Sequence, residues 1–538
     1  MSETTSLITG KPIISRKNKL FKNKKITKFI VFIISFTVLI IYTFNIQLFN
    51  IPFIHHHKPT KKNLIFFVTD GMGPASLSLT RSFRQFVDAL PINDTLTLDH
   101  HLIGSSRTRS SDSLITDSAA GATAFSCALK SYNGAIGVSP NGHQPCGTIL
   151  EAAKLKGYMT GLVVTTRITD ATPAAFSSHV DYRIQEDLIA LHQLGEYPLG
   201  RMVDLIIGGG KAHFMPHIRK DKRDLLKESS DSGWSVVQTR SEFDNLQMGS
   251  NASLPLLALL AENDIPFDID RDSKVYPSLE EQAITAIKAL EEATRDSDKG
   301  FFLLIEGSRI DHAGHQNDPA AQVREVLAFD KAFNAVREYA EQSDVETVMI
   351  STSDHETGGL VTARQVTETY PEYIWLPEIL ANSSHSGEYI KKLICEYNGS
   401  SKSKQTYIEK EIMEKHLGIL DYSDKEIKSI LHETDANKIQ DLINTMISFR
   451  AQIGWTTHGH SAVDVNIYAY SNRKTRWYDV LDHLQGNHEN IEIGAYMAKY
   501  LDLDLEKTTS LVSNTTHSPG IKAAEFEKTY DSYGHRLA

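Results

Sequence analysis

The sequence predicts an α/β protein: a large, mostly parallel sheet flanked by helices, carrying a surface insertion and preceded by a single transmembrane helix. Three observations lead there. From Asn63 onward, short apolar or β-branched runs alternate with helical patterns, the signature of strands joined by crossover helices. Each run is too short to be a buried helix. Carboxylates recur just beyond the ends of these runs, where ligands gather in open α/β sheets.

The elements begin at the amino terminus. The formal charge of -11 hides a split, because residues 1–28 carry eight Lys and Arg against Glu3 alone. That segment holds +7 and leaves -18 for the rest. So acidic a body argues against non-specific nucleic-acid binding, which depends on clustered cations. With 41% hydrophobic and 23% charged residues among 538, collagen-like, coiled-coil and wholly disordered classes fall away too. Residues 1–25 read as a cytosolic tail. Residues 26–49 are a long apolar run, and a spanning helix needs about 20 such residues. A cleaved signal peptide is the alternative, but Leu48, Phe49, Ile51 and Phe53 stand where small residues would mark a cut. Basic residues before the span outnumber Lys58, Lys61 and Lys62 after it, so the tail stays cytosolic and the body is exported.

Residues 50–62 then form a lumenal stalk, in which His55, His56 and His57 read as solvated. Near the terminus, Glu3, Leu7 and Ile8 match an acidic dileucine signal of the kind sorting adaptors read on cytosolic tails, which directs proteins to vacuoles or lysosomes. Sequons at Asn93, Asn251, Asn382, Asn398 and Asn514 are glycosylation candidates that agree with a lumenal body. Cys127, Cys146 and Cys395 allow at most one disulfide. The first two are the nearer pair, and spacing alone does not decide the pairing.

The body is expected to span residues 63–505. Strands are expected at 64–69, 161–166, 204–207, 301–305, 345–351 and 463–470. A helix should start after Ser278, where Glu281 completes a capping box, and another should cover 319–339. Residues from about 380 to 450 are charge-rich and lack strand-like runs, so they read as an insertion at the surface. Residues 506–538 read as a weakly structured tail and a candidate propeptide.

The chemistry concentrates behind the strands. Asp70, Asp170, Glu306 and the pair Asp354–His355 each follow a different one. One such aspartate is more often a cap or turn residue. Four brought to one edge would repel each other and call for bound cations. Asp311 and His315, four residues apart, share a face of one helical turn and can hold one ion together. Imidazole mixed with carboxylate favours zinc, and an all-oxygen set such as Asp70, Thr172 and Glu306 favours magnesium. Two metals suit in-line phosphoryl displacement, and Ser118, near the start of a small-residue helix, supplies the nucleophile it needs.

At this point the motifs VTDGMG, TDSAAGATA, DATPAAFSSHVDYR, EGSRIDHAGH, TSDHETGG and THGHSAVDV, in this order, make the chain resemble the alkaline phosphatases, and among them the fungal membrane-anchored vacuolar form. The resemblance runs from about residue 63 to about 470 without the insertion. It implies a zinc- and magnesium-dependent phosphomonoesterase of broad range, with two Zn2+ and one Mg2+ per subunit. Ser118 would form a phosphoseryl intermediate and Arg183 would grip two phosphate oxygens, a role suited to a planar guanidinium. Asp311, His315 and His460 would hold one zinc, and Asp70, Asp354 and His355 the other. Magnesium would take Asp70, Thr172 and Glu306, with Asp170 acting through water. His460 rather than His458 fits the family register, since Asp464 and Val465 follow it at the right spacing. His312 and Asp170 stand where relatives vary, which leaves rate and pH optimum open. Small phosphate monoesters and phosphoproteins are the implied substrates, homodimerisation the implied assembly, and the vacuole membrane the implied location.

Two rival readings remain. A phosphodiesterase or sulfatase of the same superfamily is disfavoured, because Ser118 has no sulfatase maturation sequence around it and Arg183 is present. A non-catalytic ectodomain would have lost the nucleophile or a ligand, and this chain keeps them all.

Overall fold

The computed structural model describes residues 61–513 apart from 142, 143 and 197, together with 33, 35 and 37. The chain divides into two units, Met1–Pro59 and Thr60–Ala538. In the first, positions 33, 35 and 37 are helical. The rest of the expected span, the cytosolic tail with Glu3, Leu7 and Ile8, the stalk up to residue 60, and Asn514 with the chain beyond it lie outside the described residues. Among those described, no helix is long and apolar enough to cross a membrane.

The second unit is organised by strands β1 (Lys62–Val68), β2 (Leu102–Arg107), β3 (Met159–Arg167), β4 (Leu205–Gly209), β5 (Ser235–Val237), β6 (Leu256–Leu259), β7 (Phe301–Glu306), β8 (Glu346–Thr352), β9 (Glu356–Thr357), β10 (His460–Ser461), β11 (Val465–Ser471) and β12 (Gly486–Glu489). Ten of them form one sheet in the order β12-β2-β11-β8-β1-β7-β3-β4-β6-β5, and β9 pairs with β10 apart from it. In the large sheet β11 alone runs against its neighbours. The mostly parallel sheet is therefore as expected, with all six anticipated strands in place. The four the sequence did not reveal have mixed or very short sequences, LIGSSR, SVV, LLAL and GNHE. Two of them, β12 and β5, are the edges, where no apolar run is demanded.

Central strand β1 shows why the middle of the sheet reads as continuous apolar sequence. Leu64, Phe66 and Val68 enter one core while Ile65 and Phe67 enter another on the opposite face. Phe66 meets Phe125 edge-on at 5.3 Å, and Phe176 stacks on Phe302 at 5.7 Å. Helices α1 (Ser118–Cys127), α2 (Ile149–Leu155), α3 (Ala171–Ser177), α4 (Glu186–Leu194), α5 (Leu279–Ala293), α6 (Arg309–His315) and α7 (Pro319–Gln342) connect or cover the strands. The Ser278–Glu281 capping box starts α5 as anticipated. A disulfide joins Cys127 to Cys146 and leaves Cys395 free and exposed.

The structure adds detail to two of these segments. The insertion is helical, with Pro377–Asn382, Gly387–Glu396, Ser401–Tyr407, Asp424–His432 and Ala436–Ala451 among its elements. Its Leu380, Ile390, Ile412, Ile443 and Ile447 share one core with Leu79, Phe83 and Val323 from outside it, so its apolar faces are buried against the rest of the body. It also reaches the body: Glu388 accepts hydrogen bonds from Arg309 at 2.8 Å and Gln316 at 3.0 Å, at the two ends of α6. After residue 505 the chain is not weakly structured throughout, since Leu505–Ser513 is a helix. It docks through Thr509, whose hydroxyl accepts from Gly147 N at 2.8 Å, and buried Val512. Of the sequons, Asn93, Asn251, Asn382 and Asn398 are exposed.

The segment leading to Arg183 is held by a buried ion pair. His179 places Nδ1 2.7 Å from the Gly137 carbonyl and Nε2 2.8 Å from Glu151 Oε1. Both partners are acceptors, so only the doubly protonated ring satisfies both. Burial opposes that charge, but Glu151 outweighs it and raises the His179 pKa. A raised folded-state pKa stabilises fully below the unfolded value of about 6.5 and is lost as pH climbs through the folded value. Glu151→Gln is therefore expected to lower the thermal midpoint most near pH 5.5 and progressively less toward pH 9. A constant difference across that range would exclude the ion pair as the source.

Candidate active site

Four adjacent parallel strands, β8, β1, β7 and β3, deliver the chemistry to one sheet edge. Asp70 follows β1, Glu306 ends β7, Asp354 and His355 follow β8, and Asp170 caps the start of α3 just after β3. Helix α6 adds Asp311 and His315, and β10 adds His460. All are buried except His315 and Asp170, which are half-buried.

Two clusters result. In one, His315 Nε2 lies 3.3 Å from Asp311 Oδ2, while His460 Nε2 lies 3.6 Å from Asp311 Oδ1 and 3.2 Å from His315 Nε2. In the other, His355 Nε2 is 3.1 Å from Asp354 Oδ2 and 3.6 Å from Asp70 Oδ1. Each set can direct one ligand atom per residue at a common ion. The ring orientations follow from what lies behind them. His460 Nδ1 meets the Thr116 carbonyl at 2.7 Å, and His315 Nδ1 meets the carbonyl of His458. Carbonyls only accept, so both Nδ1 atoms carry the proton and the Nε2 lone pairs turn to the cluster. His458 is itself exposed and contributes its backbone.

Electrostatics shows why these groups fit cations. Burial pushes Asp70 far above the ordinary carboxylate range, and Asp354, Asp311 and Glu306 push it further. Glu306 is raised to about 8, chiefly by burial and against the pull of the Ser308 hydroxyl. Burial works the same way on Asp311, but His315, His460 and His355 outweigh it and hold that carboxyl low. Asp70 Oδ1 is buried without a hydrogen-bond partner, an arrangement that a divalent ion would satisfy.

Ser118 sits at the first turn of α1, whose N-cap Asp117 accepts from Ala120 N at 2.9 Å. Every residue of α1 is buried, which its run of Ala, Gly, Ser and Thr permits. Ser118 Oγ lies 3.0 Å from His355 Nε2. Arg183 NH2 donates to Asp170 Oδ1 at 2.9 Å and NH1 to Asp117 Oδ2 at 3.4 Å. Asp170 also receives Arg167 at 2.9 Å, so its oxygens serve two guanidinium groups rather than either cluster. Ser118, Arg183, Asp311, His315 and His460 line one cleft of about 340 Å³.

Sequence reasoning missed three supports. Thr357 Oγ1 donates to Asp311 Oδ1 at 2.5 Å and lies 3.2 Å from His355 Nδ1, tying the two clusters together. Asp117 caps α1 and anchors Arg183, and Thr116 orients His460. All three adjoin or belong to the quoted motifs, so the signal was present without its geometric meaning. A fourth is Gly121, where a Cβ would come within 2.9 Å of Asp354 Cβ. Alanine would otherwise favour a helix by about 1 kcal/mol. Here crowding is expected to prevail, with Gly121→Ala lowering kcat about tenfold and stability by about 1–3 kcal/mol. Unchanged kinetics would show that the helix has room to move.

Such a sheet edge serves hydrolytic phosphoryl transfer, in which anionic oxygens meet a nucleophile and cations held by buried carboxylates. The comparisons agree: the family model described as "Alkaline phosphatase" matches residues 61–503. The chain is 58% identical to the repressible alkaline phosphatase of Saccharomyces cerevisiae, covering 100% of this chain and 98% of that protein. It is 50% identical to an alkaline phosphatase of Schizosaccharomyces pombe over 83% of this chain and 82% of the other. Among solved structures, a cold-active alkaline phosphatase from the psychrophile Shewanella sp. superposes with a TM-score of 0.68 at 30% identity, covering 82% of this chain and 99% of its own. The chain belongs to the alkaline phosphatase family. It is a phosphoric monoester hydrolase.

Proposed function

We propose that the chain hydrolyses phosphate monoesters of broad range through a phosphoserine on Ser118, within a vacuolar lumen. The observation that carries the chemical reading is Ser118 Oγ, 3.0 Å from His355 Nε2 at the border of the carboxylate–imidazole clusters. Asp311, His315 and His460 would hold one zinc ion, and Asp70, Asp354 and His355 the other. Asp70, Thr172 and Glu306 would hold magnesium, with Asp170 linked through water. When bound, these ions supply Lewis-acid charge to the reacting oxygens.

The chain's own groups do the rest. Two of the five N–H groups of Arg183 are committed to Asp117 and Asp170, which leaves others for two non-bridging phosphate oxygens. Ser118 Oγ attacks phosphorus and gives its proton to water, and the ester oxygen departs with the bonding electrons and takes a proton from water to become the alcohol. Water then displaces Ser118 from phosphorus, giving inorganic phosphate and restoring the serine. Acid-quenching the enzyme during turnover of an aryl phosphate should trap phosphate on the peptide containing Ser118. Phosphate on no peptide, or turnover of a diester at the rate of its monoester, would refute this assignment.

The charge split, the apolar run 26–49 and the resemblance to the fungal vacuolar form support a single-pass anchor with the catalytic body in the lumen. The same resemblance supports a homodimer, phosphoproteins as additional substrates and removal of a carboxy-terminal propeptide, while Glu3, Leu7 and Ile8 support a sorting adaptor on the tail. Protease treatment of sealed vacuoles should remove only the amino-terminal tail, and digestion of the body would reverse the topology.

A further inference from the structure

We propose that Arg167 is a positioning residue for the phosphate clamp: it fixes Asp170, and through Asp170 it sets Arg183. The inference rests on the reading of Arg183 as that clamp. Arg167 ends β3, and its guanidinium fans toward three carboxylates from three stretches of chain. Nε donates to Glu186 Oε2, NH1 to Asp264 Oδ1 and NH2 to Asp170 Oδ2, each at 2.9 Å. The side chain is 22% exposed and its three partners are between 14% and 18% exposed, so water screens these charges little. Burial opposes the charge on Arg167, but Asp170, Glu186 and Asp264 outweigh it and hold the cation firmly.

The hand-over to Arg183 is direct. While Asp170 Oδ2 takes Arg167, Oδ1 takes Arg183 NH2 at 2.9 Å and Ala171 N at 2.7 Å. The other hold on Arg183, through Asp117, is longer at 3.4 Å, so the Asp170 bridge is the tighter one. The partners are braced in turn. Glu186 also accepts from Thr169 Oγ1 at 2.6 Å, and Asp264 accepts from Arg167 N at 2.9 Å and lies 3.6 Å from His312. Arg167 lines the same cleft as Ser118 and Arg183. Without it, Asp170, Glu186 and Asp264 would face one another beside the entry of a phosphate dianion, and Asp170 would compete with that dianion for Arg183.

The test uses the full chain loaded with zinc and magnesium, as Arg167→Met, Arg167→Lys and Arg183→Ala singly and in both double combinations. KM for an aryl phosphate, inhibition by inorganic phosphate, kcat and metal content are measured. Arg167→Met should raise KM and weaken phosphate inhibition about tenfold, with a smaller change in kcat and unchanged metal content. Arg167→Lys keeps the charge but cannot span three carboxylates, so it should fall between, and it carries the test if the methionine variant does not fold. In the Arg183→Ala background either change should alter phosphate inhibition less than about twofold, because residues acting as a unit are not additive. Equal effects in both backgrounds, or unchanged phosphate inhibition, would overturn the positioning role. If Arg183→Ala alone leaves phosphate inhibition intact, the clamp itself is wrong and this inference falls with it.

Discussion

Ser118→Ala is expected to lower kcat for an aryl phosphate by about 10⁴-fold or more, the scale on which removal of a covalent nucleophile is felt. The loss should be chemical, not structural. Ser118 is buried, and its Oγ is paired with His355 Nε2 at 3.0 Å. Helix α1 keeps its start through Asp117, and alanine is the better helix former. The thermal midpoint should therefore stay close to that of the parent, and zinc content should be unchanged. Steady-state assays alongside thermal melts and metal analysis decide the matter. Turnover within about tenfold of the parent would remove Ser118 from the mechanism.

Removing the metals should have the second-largest effect, and this one should reach stability as well as rate. Stripping with a chelator is expected to abolish turnover and to lower the thermal midpoint by about 5 °C or more, since an ion at 1,000 times its dissociation constant stabilises by about 4 kcal/mol. The physical reason is the carboxylate crowd. Asp70 is raised by burial and by Asp354, Asp311 and Glu306, and Glu306 is itself pushed up to about 8. Cations relieve that repulsion in the folded state and find no such site in the unfolded chain. Adding zinc with magnesium should restore both readouts, and zinc alone only part. A chelated enzyme that keeps its melting temperature would mean the clusters tolerate emptiness, contrary to their electrostatics.

Much of this was legible in order along the chain. Strands buried on both faces are rich in apolar and β-branched residues, so β1, β3, β7 and β8 announce themselves, and the residues just past them are where a parallel sheet presents ligands. Asp311 and His315 were legible because a helical turn brings i and i+4 together. Edge strand β12, with the sequence GNHE, was not, because one side of it has no neighbour to demand apolar residues. The helices of the insertion were hidden for a related reason. Its short amphipathic helices keep their charged faces outward, and the apolar stripe that builds the core of Ile390, Ile412 and Ile443 is thin within each helix and sums only in three dimensions.

By itself, the sequence determined the class of fold, the family and the charge split of +7 against -18, and it singled out a candidate nucleophile and candidate ligands. These depend on residue type, local period and motif, all of which a linear chain records. Only the tertiary structure decided that Thr116 and the His458 carbonyl orient the two imidazoles, that Thr357 joins the clusters, that Cys127 pairs with Cys146, and that Arg167 reaches Arg183 through Asp170. Each is a contact between residues whose spacing carries no period, or between stretches far apart in sequence. Hydrogen bonds and ion pairs depend on distance and direction in space, which only the packing of the sheet against its helices sets.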